Sequence, residues 1–166
     1  EVISSTLIGS YDMKLRDRKF QTVIIDEAGQ ALEPGVWLPI LKAEKVILAG
    51  DPLQLPPTVK SEKAASMGLR KTLIEKVIDR SPSAITLLKE QYRMNAKIMQ
   101  FSSDYFYKGE LQAHVSVADH QIEDEVIEWI DTAGCGYDED KEGEGSSLTN
   151  PGEADVLIKH LDAFEE

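Results

Sequence analysis

Residues 22–30 read TVIIDEAGQ and residues 45–57 read KVILAGDPLQLPP, and these two stretches decide the fold. Each begins as a continuous apolar run and then turns into acidic, glycine and proline residues. A short run without polar alternation is typical of a strand buried on both faces of a parallel sheet. Residues 31–41 are predicted to form a short, irregular helix, because Pro34 and Pro39 interrupt it. Strand, helix and strand in this order indicate an α/β fold with a parallel sheet.

Further elements are predicted from periodicity and from turn residues. An apolar stripe from Leu69 to Ile78 favours a helix. A second helix is predicted after Asn95 and a third after Asn150, where Asn, Pro and Glu occupy the N-cap, first and third helical positions. Residues 134–147 are rich in glycine and acidic residues and predict a loop. Additional strands are predicted at residues 2–7, 84–88 and 126–130.

Composition excludes several classes of protein. The 166 residues are 42% hydrophobic and 29% charged, which supports a folded core. No apolar run approaches the ~20 residues that cross a bilayer, and no leader opens the chain. Cys135 is the single cysteine, so no internal disulfide is possible. We therefore expect a soluble, intracellular protein.

The net charge of −12 is unevenly distributed. Residues 1–90 carry 13 Lys and Arg against 12 Asp and Glu, a net +1, whereas residues 91–166 carry 5 against 18, a net −13. This composition does not indicate a basic nucleic-acid module, although one local groove can still bind phosphate.

Two adjacent carboxylates, Asp26 and Glu27, follow the first predicted strand. Ligands of parallel α/β sheets bind beyond the carboxyl ends of the strands. A carboxylate there can hold Mg²⁺, and its neighbour can orient or deprotonate an attacking water. Capping of the next helix would explain the pair equally well, and that alternative stays open.

The turn after the second predicted strand carries Gly50, Asp51 and Gln54. Gly50 permits a close backbone approach, and the prolines that follow stiffen the loop. The amide of Gln54 both donates and accepts hydrogen bonds, so it can sense a terminal phosphate. A plain proline-rich connection is the alternative.

Residues 90–94 read EQYRM and carry a third signal. The planar guanidinium of Arg93 can stabilise charge on a transferring phosphoryl group. The ring of Tyr92 can stack on a base. Taken alone, the pair is more typical of an ordinary exposed surface than of a nucleotide site.

In order along the chain, DEAGQ at 26–30, GDPLQLPP at 50–57 and QYRM at 91–94 resemble motifs II (Walker B), III and IV of superfamily-one helicases of the nonsense-decay group. The resemblance covers nearly the whole chain. It is strongest to the immunoglobulin-mu-binding (SMUBP-type) branch, through STLIG at 5–9, DTAGCG at 131–136 and NPGEA at 150–154.

This resemblance implies two RecA-like domains with ATP between them. Residues 1–90 would be the C-terminal part of the first domain, and residues 91–166 the start of the second. The implied roles are Mg²⁺ binding by Asp26, activation of water by Glu27, contact of Gln54 with the γ-phosphate, nucleotide binding by Gly50 and Asp51, stacking of Tyr92 on adenine, and an arginine finger at Arg93.

The resemblance also implies single-stranded DNA or RNA as the partner. Thr6 and the loop residues Pro57, Thr58 and Val59 would lie near the strand.

The sequence contains no G-x-x-x-x-G-K-[ST] motif. We therefore expect an ATP-dependent helicase or translocase when the protein is intact, and an inactive fragment when it is not. The alternative is a non-catalytic RecA-like interaction module, which the acidic second half would suit. Unpaired sheet edges would allow the fragment to self-associate.

Overall fold

Strands β1 (Phe20–Ile25) and β2 (Ala43–Leu48) form a parallel pair in the computed structural model, which describes residues 1–122, 125–141 and 147–163. Ile25 lies opposite Leu48 in the register. Helix α1 (Glu33–Ile40) connects the strands. Pro34 lies in its first turn, where no intrahelical N–H bond is lost, whereas Pro39 lies inside the helix, removes one such bond and is followed by the end of the helix at Ile40. The predicted strand, helix and strand are confirmed.

The core lies on one face of this pair. Ile25, Ala28, Val36 and Ile74 are buried together there, and burial of each large aliphatic side chain contributes about 1.5–3 kcal/mol. Val36 comes from α1 and Ile74 from α3 (Leu73–Arg80), so two helices cover the same face.

The opposite face of the pair is open in the described residues. Ile24 is 67% exposed and Ile47 is 41% exposed. The prediction that both faces of these strands are buried is therefore wrong for this structure. The physical reason is that this sheet has two strands within the described ranges, and that α1 and α3 both pack on its other face.

Helix α3 starts later than predicted. A three-residue helical turn, α2 (Glu62–Ala64), and a π-helical turn (Ala65–Leu69) precede it, and Gly68 breaks the helix with φ +98°. Thr72 then caps α3 in a reciprocal pair with Glu75, in which each side chain bonds the other residue's backbone N–H. The predicted helix from Leu69 to Ile78 is correct from Leu73 onward.

The other two helices agree with prediction. Helix α4 (Ala96–Phe106) follows Asn95, whose side chain accepts from the N–H of Lys97 at 2.8 Å. Helix α5 (Pro151–Ala163) follows Asn150, whose Oδ1 accepts from the N–H of Glu153 at 3.1 Å. Both asparagines satisfy donors that the first helical turn leaves unpaired.

The predicted strands at residues 2–7, 84–88 and 126–130 are wrong: these residues are irregular, apart from a 3₁₀ turn over Pro82–Ala84. Trp129, within the third of them, is 88% exposed. A strand persists only where a neighbour pairs with its backbone, and the described residues provide no such neighbour there.

Two short ladders complete the described structure. Strand β3 (Glu90–Gln91) pairs with β4 (Gln112–Ala113), and β5 (Asp140–Lys141) pairs antiparallel with β6 (Leu148–Thr149). The predicted loop at residues 134–147 is therefore interrupted by β5, and its residues 142–146 lie outside the described residues. Among the described residues, every helix is too short or too polar to traverse a lipid bilayer.

The chain forms two compact units. The first comprises Glu1–Gln91 and Ser102–Gln112, and the second comprises Tyr92–Phe101 and the described part of Ala113–Glu166. The chain thus returns to the first unit through the second half of α4.

Candidate functional site

The carboxyl ends of β1 and β2 are hydrogen-bonded to each other beyond the ladder. The N–H of Ala49 donates to the carbonyl of Ile25 at 2.8 Å, and the N–H of Ala28 donates to the carbonyl of Ala49 at 2.8 Å. The turn that carries Asp26 and Glu27 is therefore attached to the turn that starts at Gly50. The structure brings the first two sequence signals to one edge of the sheet.

Two glycines make this contact possible. A Cβ atom on Gly50, which has φ +153°, would lie 2.7 Å from the backbone nitrogen of Ala28. A Cβ atom on Gly29 would lie 2.4 Å from the carbonyl oxygen of Asp51. Both distances are too short for a side chain, so the two turns approach backbone to backbone. Sequence reasoning anticipated this role for Gly50 but did not single out Gly29.

The Glu27 carboxylate is exposed and is fixed by its own turn. Glu27 has φ +51°, a left-handed conformation that costs a non-glycine residue about 1–2 kcal/mol. Its Oε2 accepts from Nε2 of Gln30 at 3.1 Å, and its carbonyl accepts from the N–H of Gln30 at 2.9 Å. The N-cap of α1 is Leu32, so neither acid caps that helix, and the capping alternative does not describe this turn. Backbone strain of this kind is concentrated at functional sites.

The Asp26 carboxylate is also exposed, directly after β1. Its Oδ1 accepts from the N–H of Glu27 at 3.0 Å. Among the described residues, no cluster of three or more His, Cys, Asp or Glu side chains is arranged to hold a metal. Mg²⁺ in nucleotide sites takes one or two carboxylates and completes its shell with phosphate and water. The exposed carboxylate of Asp26, at the end of a strand, is an oxygen ligand of the type that Mg²⁺ binds in such sites.

The Asp51 carboxylate organises the second turn. Its Oδ1 accepts from the N–H of Leu53 at 2.9 Å, and its Oδ2 accepts from Nε2 of Gln54 at 3.0 Å. The hydroxyl of Tyr107 donates to the same Oδ2. Burial raises the pKa of Tyr107 to about 12, with further contributions from the hydrogen bond to Asp51 and from its charge. Sequence reasoning missed Tyr107, because it belongs to none of the quoted motifs.

Tyr92 and Arg93 of the third signal lie in the second unit. Arg93 is exposed, and Tyr92 is 61% exposed. The ring of Tyr92 stacks on His114 with centroids 4.3 Å apart and planes 28° apart. His114 is itself held, since its Nδ1 accepts from the N–H of Ser116 at 3.1 Å. Sequence reasoning did not anticipate His114 beside Tyr92.

The residues predicted to lie near nucleic acid occupy two segments of the first unit. Thr6 is exposed, and its Oγ1 accepts from the N–H of Gly9 at 3.0 Å. Pro57 is buried, Thr58 is exposed and Val59 is half-buried. Thr58 is thus the member of the 57–59 loop with the most accessible side chain.

Two family models match the sequence, and both are described as AAA domain. One matches residues 1–62 and the other residues 69–166, which is more than half of the chain. AAA-type helicase domains have the P-loop NTPase fold, and a parallel sheet with helices packed against it is consistent with that fold.

Several curated proteins are similar over most of this chain. DNA-binding protein SMUBP-2 of Mesocricetus auratus is 42% identical over 162 residues, which are 90% of this chain and 16% of that protein. ATP-dependent helicase NAM7 of Saccharomyces cerevisiae is 41% identical over 130 residues, 78% of this chain and 13% of that protein. Uncharacterized ATP-dependent helicase MJ0104 of Methanocaldococcus jannaschii is 42% identical over 127 residues, 76% of this chain and 18% of that protein.

The chain therefore spans less than a fifth of the length of these curated relatives. The chain belongs to the AAA-domain family of superfamily-one helicases, in the branch that includes SMUBP-2 and NAM7.

Proposed function

We propose that this chain contributes the hydrolytic carboxylates and the phosphate-sensing loop of an ATP-dependent helicase or translocase. The observation that carries the proposal is the contact between the two turns, in which the N–H of Ala28 donates to the carbonyl of Ala49. It holds a pair of carboxylates and a glutamine loop at the carboxyl edge of one parallel sheet, where α/β proteins bind their ligands.

Glu27 is the general base in this proposal. Its carboxylate is exposed to solvent, and its hydrogen bond from Gln30 fixes its direction. A carboxylate in such a position orients and deprotonates the water that attacks the γ-phosphate.

Asp26 would hold Mg²⁺, which neutralises charge on the phosphates when it is bound. One oxygen of Asp26 is occupied by the N–H of Glu27, which fixes the plane of the carboxylate. Gln54 would contact the γ-phosphate, and Gly50 and Asp51 would shape the loop that carries it.

Tyr92 and Arg93 would complete the nucleotide site, with the ring on adenine and the guanidinium on the γ-phosphate. The first role is supported by the stacking of Tyr92 on His114, in which one planar group lies against the face of the Tyr92 ring. The exposure of Arg93 supports the second.

We also propose that residues 1–90 belong to a first RecA-like domain and residues 91–166 to a second. The boundary of the compact units near residue 91 supports this division, although Ser102–Gln112 return to the first unit. The two family models meet earlier in the chain, between residues 62 and 69, so they favour an earlier division.

Single-stranded DNA or RNA is the proposed partner, near Thr6 and residues 57–59. One relative is named as a DNA-binding protein and others as helicases, which supports a nucleic-acid substrate. Such an enzyme acts inside the cell, so we propose an intracellular location. The open face with Ile24 and Ile47 supports self-association of the isolated chain.

The test is Glu27→Gln in the natural protein that contains this chain. ATP hydrolysis with Mg²⁺ and single-stranded nucleic acid should be lost, whereas binding of a fluorescent ATP analogue should be retained. Glu44→Gln is the matched control, because it removes an exposed carboxylate from β2. Wild-type turnover by Glu27→Gln would exclude Glu27 as the base. A wild-type protein that binds no ATP would instead favour the interaction module.

A further inference from the structure

The Asp51 carboxylate collects three donors, and one of them comes from a distant part of the chain. The N–H of Leu53 occupies Oδ1, while Nε2 of Gln54 and the hydroxyl of Tyr107 share Oδ2. Leu53 and Gln54 are near neighbours of Asp51, whereas Tyr107 follows it by 56 residues, directly after α4. Both oxygens are engaged, so the carboxylate cannot rotate without breaking a hydrogen bond.

This carboxylate determines which way the Gln54 amide faces. An ionised carboxylate only accepts hydrogen bonds, so the amide must turn its Nε2 toward Oδ2. Nε2, and not the carbonyl oxygen, is then the atom that Gln54 presents to Asp51. Without that acceptor, the amide could turn over and present the opposite polarity to a phosphate.

Tyr107 is well placed to fix the position of Oδ2. Its ring is half-buried, and its backbone N–H donates to the carbonyl of Ser103 at 3.0 Å. The hydroxyl of Ser103 donates in turn to the carbonyl of Leu111 at 2.8 Å, so the end of α4 is tied to the turn that follows. A tyrosine hydroxyl carries its proton at neutral pH and is therefore a donor there, and burial of Tyr107 raises its pKa further, to about 12.

We propose that Tyr107 is a positioning residue that acts through Asp51 to set the amide orientation of Gln54. The inference rests on the proposed function, which assigns Gln54 to the γ-phosphate. It predicts that loss of the Tyr107 hydroxyl slows hydrolysis, although Tyr107 belongs to none of the quoted motifs.

The contact itself is tested by NMR on the chain, without any nucleotide. In Tyr107→Phe, the backbone amide signal of Leu53 and the side-chain amide signals of Gln54 should shift and exchange faster with water. Asp51→Asn should shift the same signals. The shifts in the double variant, Tyr107→Phe with Asp51→Asn, should be little larger than those in Asp51→Asn alone, because the hydroxyl acts through the carboxylate.

Tyr11→Phe is the matched control, since it removes a hydroxyl from an exposed ring of the same unit. The contact is overturned if Tyr107→Phe and Tyr11→Phe leave the Leu53 and Gln54 signals equally unchanged.

The consequence for catalysis is tested in the natural protein that contains this chain. Tyr107→Phe should lower kcat for ATP by about three- to tenfold, the size expected when part of a hydrogen bond to a charged group is lost. The KM for ATP should stay within about twofold, since only transition-state positioning changes.

The NMR experiment and the kinetic experiment distinguish failure of the positioning role from failure of the proposed function. An unchanged kcat in Tyr107→Phe, with active wild type, would overturn the positioning role. A wild-type protein that hydrolyses no ATP would overturn the proposed function and this role together, while the NMR signals would still decide the contact.

Discussion

Replacement of Gly29 by alanine should separate the two turns at the sheet edge. The new Cβ would lie 2.4 Å from the carbonyl oxygen of Asp51 and 2.9 Å from its carbonyl carbon. Both are backbone atoms, so relief requires the whole Gly50 turn to move. Overpacking of this kind costs about 1–3 kcal/mol, and loss of the hydrogen bond between Ala28 and Ala49 adds about 1 kcal/mol. We therefore expect Gly29→Ala to lower the free energy of unfolding by about 3 kcal/mol.

Gly35→Ala is the matched control, and we expect it to raise the free energy of unfolding rather than lower it. Gly35 lies within α1, and a Cβ there would meet Cδ1 of Leu7 at an ordinary 3.6 Å. Alanine in a helix interior is favoured over glycine by about 0.5–1 kcal/mol, so this variant should be slightly more stable than wild type.

Urea unfolding followed by Trp37 fluorescence measures both effects. Trp37 lies on α1, and a Trp129→Phe background removes the other tryptophan signal. With a slope of about 2 kcal/mol/M, the two urea midpoints should differ by about 2 M. Equal midpoints for Gly29→Ala and Gly35→Ala would refute the close approach of the turns.

Two further predictions concern α3 and its ion pair. Thr72→Ala should lower the free energy of unfolding by about 1–2 kcal/mol, because it removes the cap of α3. Ser61→Ala, which removes the cap of the exposed three-residue turn α2, should lower the free energy of unfolding by less in the same urea titration. The hydrogen bond from Lys76 lowers the pKa of Glu33 below 4.5, so its contribution to stability is complete above that pH and is lost as the pH falls through the lowered value. Lys76→Met should flatten this acid-side loss of stability, and an unchanged pH profile would contradict the assignment.

The parallel pair and its two turns could be predicted because their signals are local. A continuous apolar run followed by acids or by glycine and proline is readable over about ten residues, as in TVIIDEAGQ. The caps Asn95 and Asn150 are local in the same sense, and both were found where the sequence indicates them.

The features that could not be predicted depend on contacts between residues that are far apart in the sequence. Residues 84–88 have a strand-like composition, but no described neighbour pairs with them. The hydrogen bond between Tyr107 and Asp51 joins residues that are 56 positions apart, and no sequence pattern indicates that they meet. Such features follow from tertiary packing, which overrides or adds to local preference.

The turns at Gly29 and Gly50 are in backbone contact, and this contact limits how far one turn can move relative to the other. Neither backbone can advance toward the other, and the hydrogen bond between Ala28 and Ala49 resists their parting. A push on one turn must therefore displace its neighbour in step. In the proposed function, Glu27 activates the attacking water and Gln54 contacts the γ-phosphate. The turns that carry these two residues would then move together, because the same backbone contact joins them.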